Sequence, residues 1–197
     1  MLVFYKERLV FLCVPKTGTT AYHTALRDRA DMVISEPPDL KHAPVYRYNR
    51  FIRPMFDKVC NAQMETIAVM REPISWLGSW YRYRRRPYMK GRPNSTHDVS
   101  FDEFVRAYVK GDCPPFANVG SQAKFLAPQP NGTAVSQLFR YEDPDKLNGF
   151  LRDSLNVSFE LKRENVSPDF QLTLSPDIEA ILRRKRAAEF DLYDSIS

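Results

Sequence analysis

Residues 9–20 read Leu-Val-Phe-Leu-Cys-Val-Pro-Lys-Thr-Gly-Thr-Thr, and their pattern decides the fold. The run 9–14 is continuously apolar, as expected of a strand buried on both faces in a parallel sheet. Residues 15–20 form a polar turn with a single glycine, Gly18. Residues 20–30 then read as a helix with Ala21, Tyr22, Ala25 and Leu26 on one side. A buried strand running through a short polar loop into a helix is the opening unit of an α/β domain.

The rest of the chain extends this unit. A short strand is expected at 32–35, and Pro37 and Pro38 break the chain after it. Pro44 suits the first turn of a second helix, with Val45, Tyr48, Phe51, Ile52, Met55 and Phe56 at helical spacing. Residues 66–70 read as a second buried strand ending at Arg71, followed by a helix over about 74–86 and a loop over 87–99. Ser100 and Glu103 form a capping box for the next helix. A later strand is expected at 134–140. Asp143 is placed to cap a helix with the stripe Leu147, Phe150, Leu151 and Leu155. Ser175 and Pro176 open a last helix over about 176–193.

The alternation predicts one domain over 1–197, a three-layer α/β fold with a mainly parallel central sheet flanked by helices. Its strand–loop–helix start is P-loop-like. Ligands of such sheets bind outside the carboxyl ends of the strands, so the segments after Val14 and Met70 should hold the site.

The 197 residues suffice for one domain with a real core. Hydrophobic residues at 43% and charged residues at 27% indicate a soluble globular chain, not a disordered one. There is no apolar run of about 18 residues, so a transmembrane segment is not expected. Lys6, Glu7 and Arg8 interrupt the apolar amino-terminal stretch, which argues against a signal peptide. Three scattered cysteines and three histidines show neither a disulfide framework nor metal-ligand spacing. The expectation is a reduced, cytoplasmic, metal-independent protein. One feature points the other way. Asn94, Asn131, Asn156 and Asn165 each open an N-x-S/T sequon, where chance predicts about one.

The net charge of +5 is unevenly distributed. Residues 82–92 (RYRRRPYMKGR) hold six bases and no acid, and 183–186 (RRKR) hold four more. Local basicity suggests a place that meets an anion, such as an acidic glycan or a lipid head group. The mix of tyrosine and arginine also resembles a single-strand nucleic-acid groove, although nucleic acid is the weaker reading.

Two segments carry chemistry. In Pro15-Lys16-Thr17-Gly18-Thr19-Thr20 the unpaired N–H groups of a helix start, a glycine that allows close approach, two hydroxyls and a lysine suit an anion. It is not a Walker A loop, because Lys16 precedes the only glycine. In the second segment, Arg71 leaves a strand end and Ser79 lies eight residues on, inside the next helix. A guanidinium fork and a hydroxyl could converge there on one phosphate. Trp76, Leu77 and Trp80 read as core.

Together the two segments resemble the sulfotransferases that use 3′-phosphoadenosine 5′-phosphosulfate (PAPS), in their carbohydrate-type or bacterial branch. That family has a P-K-x-G-[ST]-[ST] loop after its first strand and an R-x-P-x(5)-S-x-Y element after a later one. Arg140-Tyr141-Glu142-Asp143 looks like its strand-end Y-E-D/N segment, and residues 188–193 (AEFDLY) look like its closing helix. The chain lacks the R-K-G segment of the cytosolic small-molecule branch. The resemblance implies that Lys16 neutralises charge on the leaving phosphate oxygen. It also implies that Thr17, Gly18, Thr19 and Thr20 hold the 5′-phosphate and that Arg71 and Ser79 hold the 3′-phosphate. The implied acceptor group is a hydroxyl, or secondarily an amine, on a glycan or lipid.

A base must take the acceptor proton. His42 suits neutral pH and lies where carbohydrate-type sulfotransferases place their base, and Glu36 in the same loop is its rival. His23 reads as structural and His97 as solvated. A P-loop small-molecule kinase is the nearest alternative enzyme. It would need a strand-end Asp for Mg²⁺, and Arg71 stands there instead.

Overall fold

The computed structural model describes residues 1–161 and 172–197, so the sequon at Asn165 lies outside the described residues. The chain is α/β, with a five-stranded sheet in the order β3-β1-β2-β4-β5 flanked by helices. The strands are β1 (Leu2–Phe4), β2 (Leu9–Leu12), β3 (Met32–Val33), β4 (Glu65–Met70) and β5 (Gln137–Arg140). β2, β4 and β5 run parallel, pairing Phe11 with Ile67 and Val69 with Phe139. β1 pairs antiparallel with both β2 and β3. The sheet is therefore mixed, and the expected mainly parallel sheet holds only for its β2-β4-β5 half.

The difference comes from β1. Five apolar residues, Met1 to Tyr5, precede Lys6-Glu7-Arg8, and nothing local tells which of them pair or in which direction. Tyr5–Arg8 close a tight hairpin, with Arg8 at φ 56° and its N–H bonded to the Tyr5 carbonyl at 3.2 Å. Once hairpinned onto β2, Leu2, Val3 and Phe4 are fully buried.

Contacts divide the chain into two compact units. The first comprises Met1–Arg71, Gln122–Glu164 and Ile196, and includes the whole sheet. One face of its strands presents Leu2, Phe4, Leu9, Phe11, Ile67 and Val69 to α1 (Thr19–Leu26) and to a later helix over Pro144–Leu155. That helix buries Leu147, Leu151 and Leu155 at the expected i, i+4, i+8 spacing, with Phe150 packed alongside. The residues on the other face, Val10, Leu12, Ala68 and Met70, are buried as well. Burial on both sides is why these strands read as continuous apolar runs.

Between β3 and β4 lie α2 (Pro38–Lys41), α3 (Val45–Arg47), a π-helical turn at Tyr48–Ile52 and α4 (Arg53–Cys60). The single helix expected after Pro44 thus contains a wide turn. A helical turn the sequence reading missed, Gln122–Leu126, precedes β5.

The second unit comprises Glu72–Ser121, Asn165–Ser195 and Ser197. Its helices are α5 (Pro73–Arg84), α6 (Phe101–Tyr108) and, after α7 (Gln122–Leu126) and α8 (Pro144–Leu155) of the first unit, α9 (Pro176–Lys185) and α10 (Ala187–Asp194). Trp76, Leu77, Tyr81, Phe104, Leu182 and Phe190 centre its core, so the tryptophan segment packs inward as expected for Trp76 and Leu77. α6 carries the full capping box, Ser100 and Glu103 each bonding the other's backbone N–H. The last helix is two helices, because Arg186 leaves helical geometry at φ −125°. RRKR therefore closes α9. Among the described residues, no helix is long and apolar enough to cross a membrane.

Candidate functional site

The loop after β2 is shaped by its own backbone. Lys16 and Gly18 both take left-handed conformations, at φ 68° and 72°. For lysine this is uncommon and strained. Thr17 folds back under the loop, its hydroxyl donating to the Val14 carbonyl at 2.8 Å, and it is buried. Gly18 is the N-cap of α1, so the first N–H groups of the helix open directly off the loop. Thr19 is buried and Thr20 half-buried in that first turn. A side chain at Gly18 is disfavoured on two counts. The φ is positive, and a Cβ there would lie 3.0 Å from Cε2 of Tyr141.

Arg71, at the carboxyl end of β4, reaches this loop. Its Nη1 donates to the Lys16 carbonyl at 3.5 Å, and its guanidinium lies 4.3 Å from the centroid of the Tyr141 ring. Tyr141 extends β5 by one step, its N–H bonded to the Met70 carbonyl at 2.8 Å. Three consecutive parallel strands thus deliver Lys16–Gly18, Arg71 and Tyr141 to one place. The Arg71 backbone is clamped on both sides by Gln122, whose Oε1 accepts from the Arg71 N–H at 3.0 Å. The Gln122 Nε2 donates to the Arg71 carbonyl at 2.8 Å. Gln122 is fully buried, so a single amide side chain fixes where the arginine leaves the sheet.

His42 caps the C-terminus of α2. Its Nδ1 lies 2.7 Å from the Cys13 carbonyl, two residues before Pro15. A carbonyl only accepts, so Nδ1 carries the proton and Nε2 holds the lone pair. Burial pushes the His42 pKa below the usual histidine range, partly offset by the Cys13 carbonyl and by Glu36. At neutral pH the ring is therefore an uncharged base, oriented by the backbone that leads into the loop. Glu36 itself is exposed.

His23 is occupied elsewhere. Its Nε2 accepts from the Met1 amino group at 3.0 Å and lies 3.2 Å from the Cys13 thiol. Burial first, and then the Met1 ammonium, depress its pKa to about 4. This is a structural histidine in its contacts. His97 is half-buried, with Nδ1 2.8 Å from the Ser95 hydroxyl.

Ser79 lies in the middle of α5, in the second unit, with 6% exposure. Of the residues singled out in the sequence, the first unit brings together Lys16, Thr17, Gly18, Thr19 and Arg71, with His42 tied to the backbone at their edge. Tyr141 and Gln122 complete the group. Tyr141 was legible as the residue leaving the third parallel strand. Gln122 had no local signal, since its role depends on a backbone 51 residues away.

The basic segments resolve differently. Arg84 is buried and donates to the Pro115 and Asn118 carbonyls at 2.6 and 2.8 Å. Arg85 donates to the Tyr81 hydroxyl and the Thr96 carbonyl at 2.9 and 3.2 Å. Arg186 donates to the Tyr108 carbonyl at 2.7 Å, and Arg183 pairs with Glu179 at 2.8 Å. Much of this charge organises the second unit's own loops and helix ends.

Compared with known proteins, the chain matches no protein-family model, and no curated protein matches it.

Proposed function

We propose that the protein is a PAPS-dependent sulfotransferase with a three-layer, P-loop-like first unit. The observation that carries this reading is the convergence of the Lys16–Gly18 loop with Arg71 and Tyr141. An anion-binding loop opens a helix, and a clamped arginine from the adjacent parallel strand meets it. An arginine there favours a second phosphate and repels a divalent cation, which separates this reading from a metal-dependent kinase.

In the proposed reaction the acceptor oxygen attacks sulfur in line with the bond to the 5′-phosphate. The S–O bond breaks and adenosine 3′,5′-bisphosphate leaves with the electron pair. Nε2 of His42 takes the acceptor proton, and Glu36 is the alternative base. Lys16 stabilises charge developing on the leaving phosphate oxygen, where a positioned cation contributes most. The N–H groups at Gly18–Thr20 and the hydroxyls of Thr19 and Thr20 hold the 5′-phosphate, while Thr17, its hydroxyl donated to the Val14 carbonyl, fixes the loop's shape. Arg71 binds the 3′-phosphate. The acceptor is a hydroxyl, secondarily an amine, of a glycan or lipid, and the protein works in the cytoplasm without a metal.

Thermal unfolding with adenosine 3′,5′-bisphosphate, set against ATP with Mg²⁺, tests the reading. At about 100-fold over Kd the bisphosphate should stabilise by about 2.7 kcal/mol, a Tm rise of roughly 5–10 °C for a chain of this size. A shift with ATP–Mg²⁺ and none with the bisphosphate overturns it.

A further inference from the structure

An open cleft lies in the first unit, at the ends of two parallel strands opposite those that carry Arg71 and Tyr141. Its volume is about 510 Å³. It opens at the amino ends of β4 and β5. There the Thr66 hydroxyl donates to the Ala134 carbonyl at 2.7 Å, and the Thr66 N–H donates to the Ser136 hydroxyl at 3.2 Å. β4 spans six residues, so about 17 Å of strand separates this end from Arg71.

The walls are ordered by one acceptor. Oδ1 of Asn49 receives Nε of Arg53 at 2.9 Å, Nδ2 of Asn131 at 2.9 Å and the Thr133 hydroxyl at 2.8 Å. Arg53 also donates to Asp57 at 2.6 Å. The π-helical turn sets this geometry, because the Arg53 N–H bonds the Tyr48 carbonyl five residues back. That wide turn stacks Tyr48 and Arg53 on one face, and π turns recur at functional sites. Tyr48 forms part of the wall. It is 1% exposed, and its hydroxyl has no hydrogen-bond partner among the described residues. Burial and the Asp57 carboxylate raise its pKa to about 12, so the hydroxyl keeps its proton as a donor.

Small-molecule pockets of this size are mostly apolar with a few polar groups. Here amides, hydroxyls and one internally balanced ion pair dominate, with Tyr48, Met64 and two alanines, Ala62 and Ala134, as the apolar part. A free phosphate or sulfate would find its only arginine already matched by Asp57. We infer that this cavity binds a neutral saccharide. Adjacent hydroxyls of a sugar can donate to Asp57 and accept from Arg53 together, and its C–H edges suit the side chains of Met64 and Ala134. Such a site is separate from the strand-end loop and holds a glycan without transferring anything to it. The inference does not rest on the sulfotransferase reading.

The test is amide chemical-shift mapping of the whole chain with maltose, cellobiose and chitobiose, each to about 10 mM, with inorganic phosphate as a parallel arm. At least one sugar should give saturable shifts at Gln63, Gly132, Thr133 and Ser136. Ala134→Arg, which fills the cavity from an exposed position, should weaken that binding about tenfold or more. Gln63→Ala should weaken it about threefold, the loss of one hydrogen bond. Adenosine 3′,5′-bisphosphate should behave identically with both variants and the parent, which separates this test from that of the transfer reaction. The inference is overturned by the absence of saturable shifts with all three sugars. Shifts that persist in Ala134→Arg, or phosphate shifting these amides in place of the sugars, overturn it equally.

Discussion

The loop at 15–20 and the segment at 82–92 use positive charge in opposite ways. The loop has one cation, Lys16, held in a left-handed conformation beside open helix N–H groups and faced by Arg71. The segment has six cations in eleven residues, and its most buried one, Arg84, is committed to two backbone carbonyls of its own unit. The dense segment is the obvious anion site in a charge plot, yet the sparse loop has the better geometry for binding one. A guanidinium satisfies orphaned carbonyls as readily as it binds phosphate, since both present oxygen acceptors.

Five substitutions and a pH profile would break or sharpen this contrast. Lys16→Ala should lower turnover by about 10²–10³-fold, the usual cost of removing one group that stabilises developing charge. Its unfolding midpoint should stay near the parent's. Turnover within a few-fold of the parent would end the role assigned to the loop. Arg84→Ala should have its effect on stability. Two carbonyls lose a charged donor in a buried place, a loss of about 2–4 kcal/mol by denaturant unfolding. Lys90→Ala, at an exposed position of the same segment, should stay within about 0.5 kcal/mol. Equal effects of the two would erase the distinction.

Gly18→Ala should destabilise by about 1–3 kcal/mol from the positive φ alone. The added Cβ also presses on Tyr141, so affinity for adenosine 3′,5′-bisphosphate should fall with it. The last test is the pH dependence of turnover. His42 acts as a base only when neutral, and burial holds its folded pKa below the usual histidine value. Activity should therefore persist below about pH 6.5 and fall as pH drops through that lowered pKa. His42→Gln should remove the inflection along with most of the rate. A parent profile that falls above pH 6.5 would transfer the role to another group.

Much of the architecture was legible because it rests on local rules. The capping box at Ser100 and Glu103 forms as read, since it needs only residues three apart. The stripe on α8 buries its leucines because helical spacing alone puts them on one face. Asp143 shows where such rules stop. It precedes the helix as a cap should, but its side chain makes no capping bond and pairs with Lys146 at 3.6 Å. The amino-terminal hairpin was not legible, because a three-residue strand gains its definition from the strand it joins. The split between α9 and α10 falls at Arg186, whose guanidinium donates to the Tyr108 carbonyl 78 residues away in sequence, a contact no local pattern marks.

The sequence alone determined that a buried strand runs through a glycine-containing turn into a helix, and that a second buried strand ends in an arginine. Apolar period, glycine and chain order are local properties, so they can be read without coordinates. Only the tertiary structure decided which residues meet. It set Arg71 against Lys16 and Tyr141, clamped Arg71 with Gln122, and turned a proton of His42 toward Cys13. It also gathered Arg53, Asn131 and Thr133, all bonded to Asn49, around a cleft that no contiguous stretch foretells. These are contacts between strand ends and distant loops. Their partners are chosen by sheet register and by the need of buried polar groups for hydrogen bonds, and neither is written in any one segment.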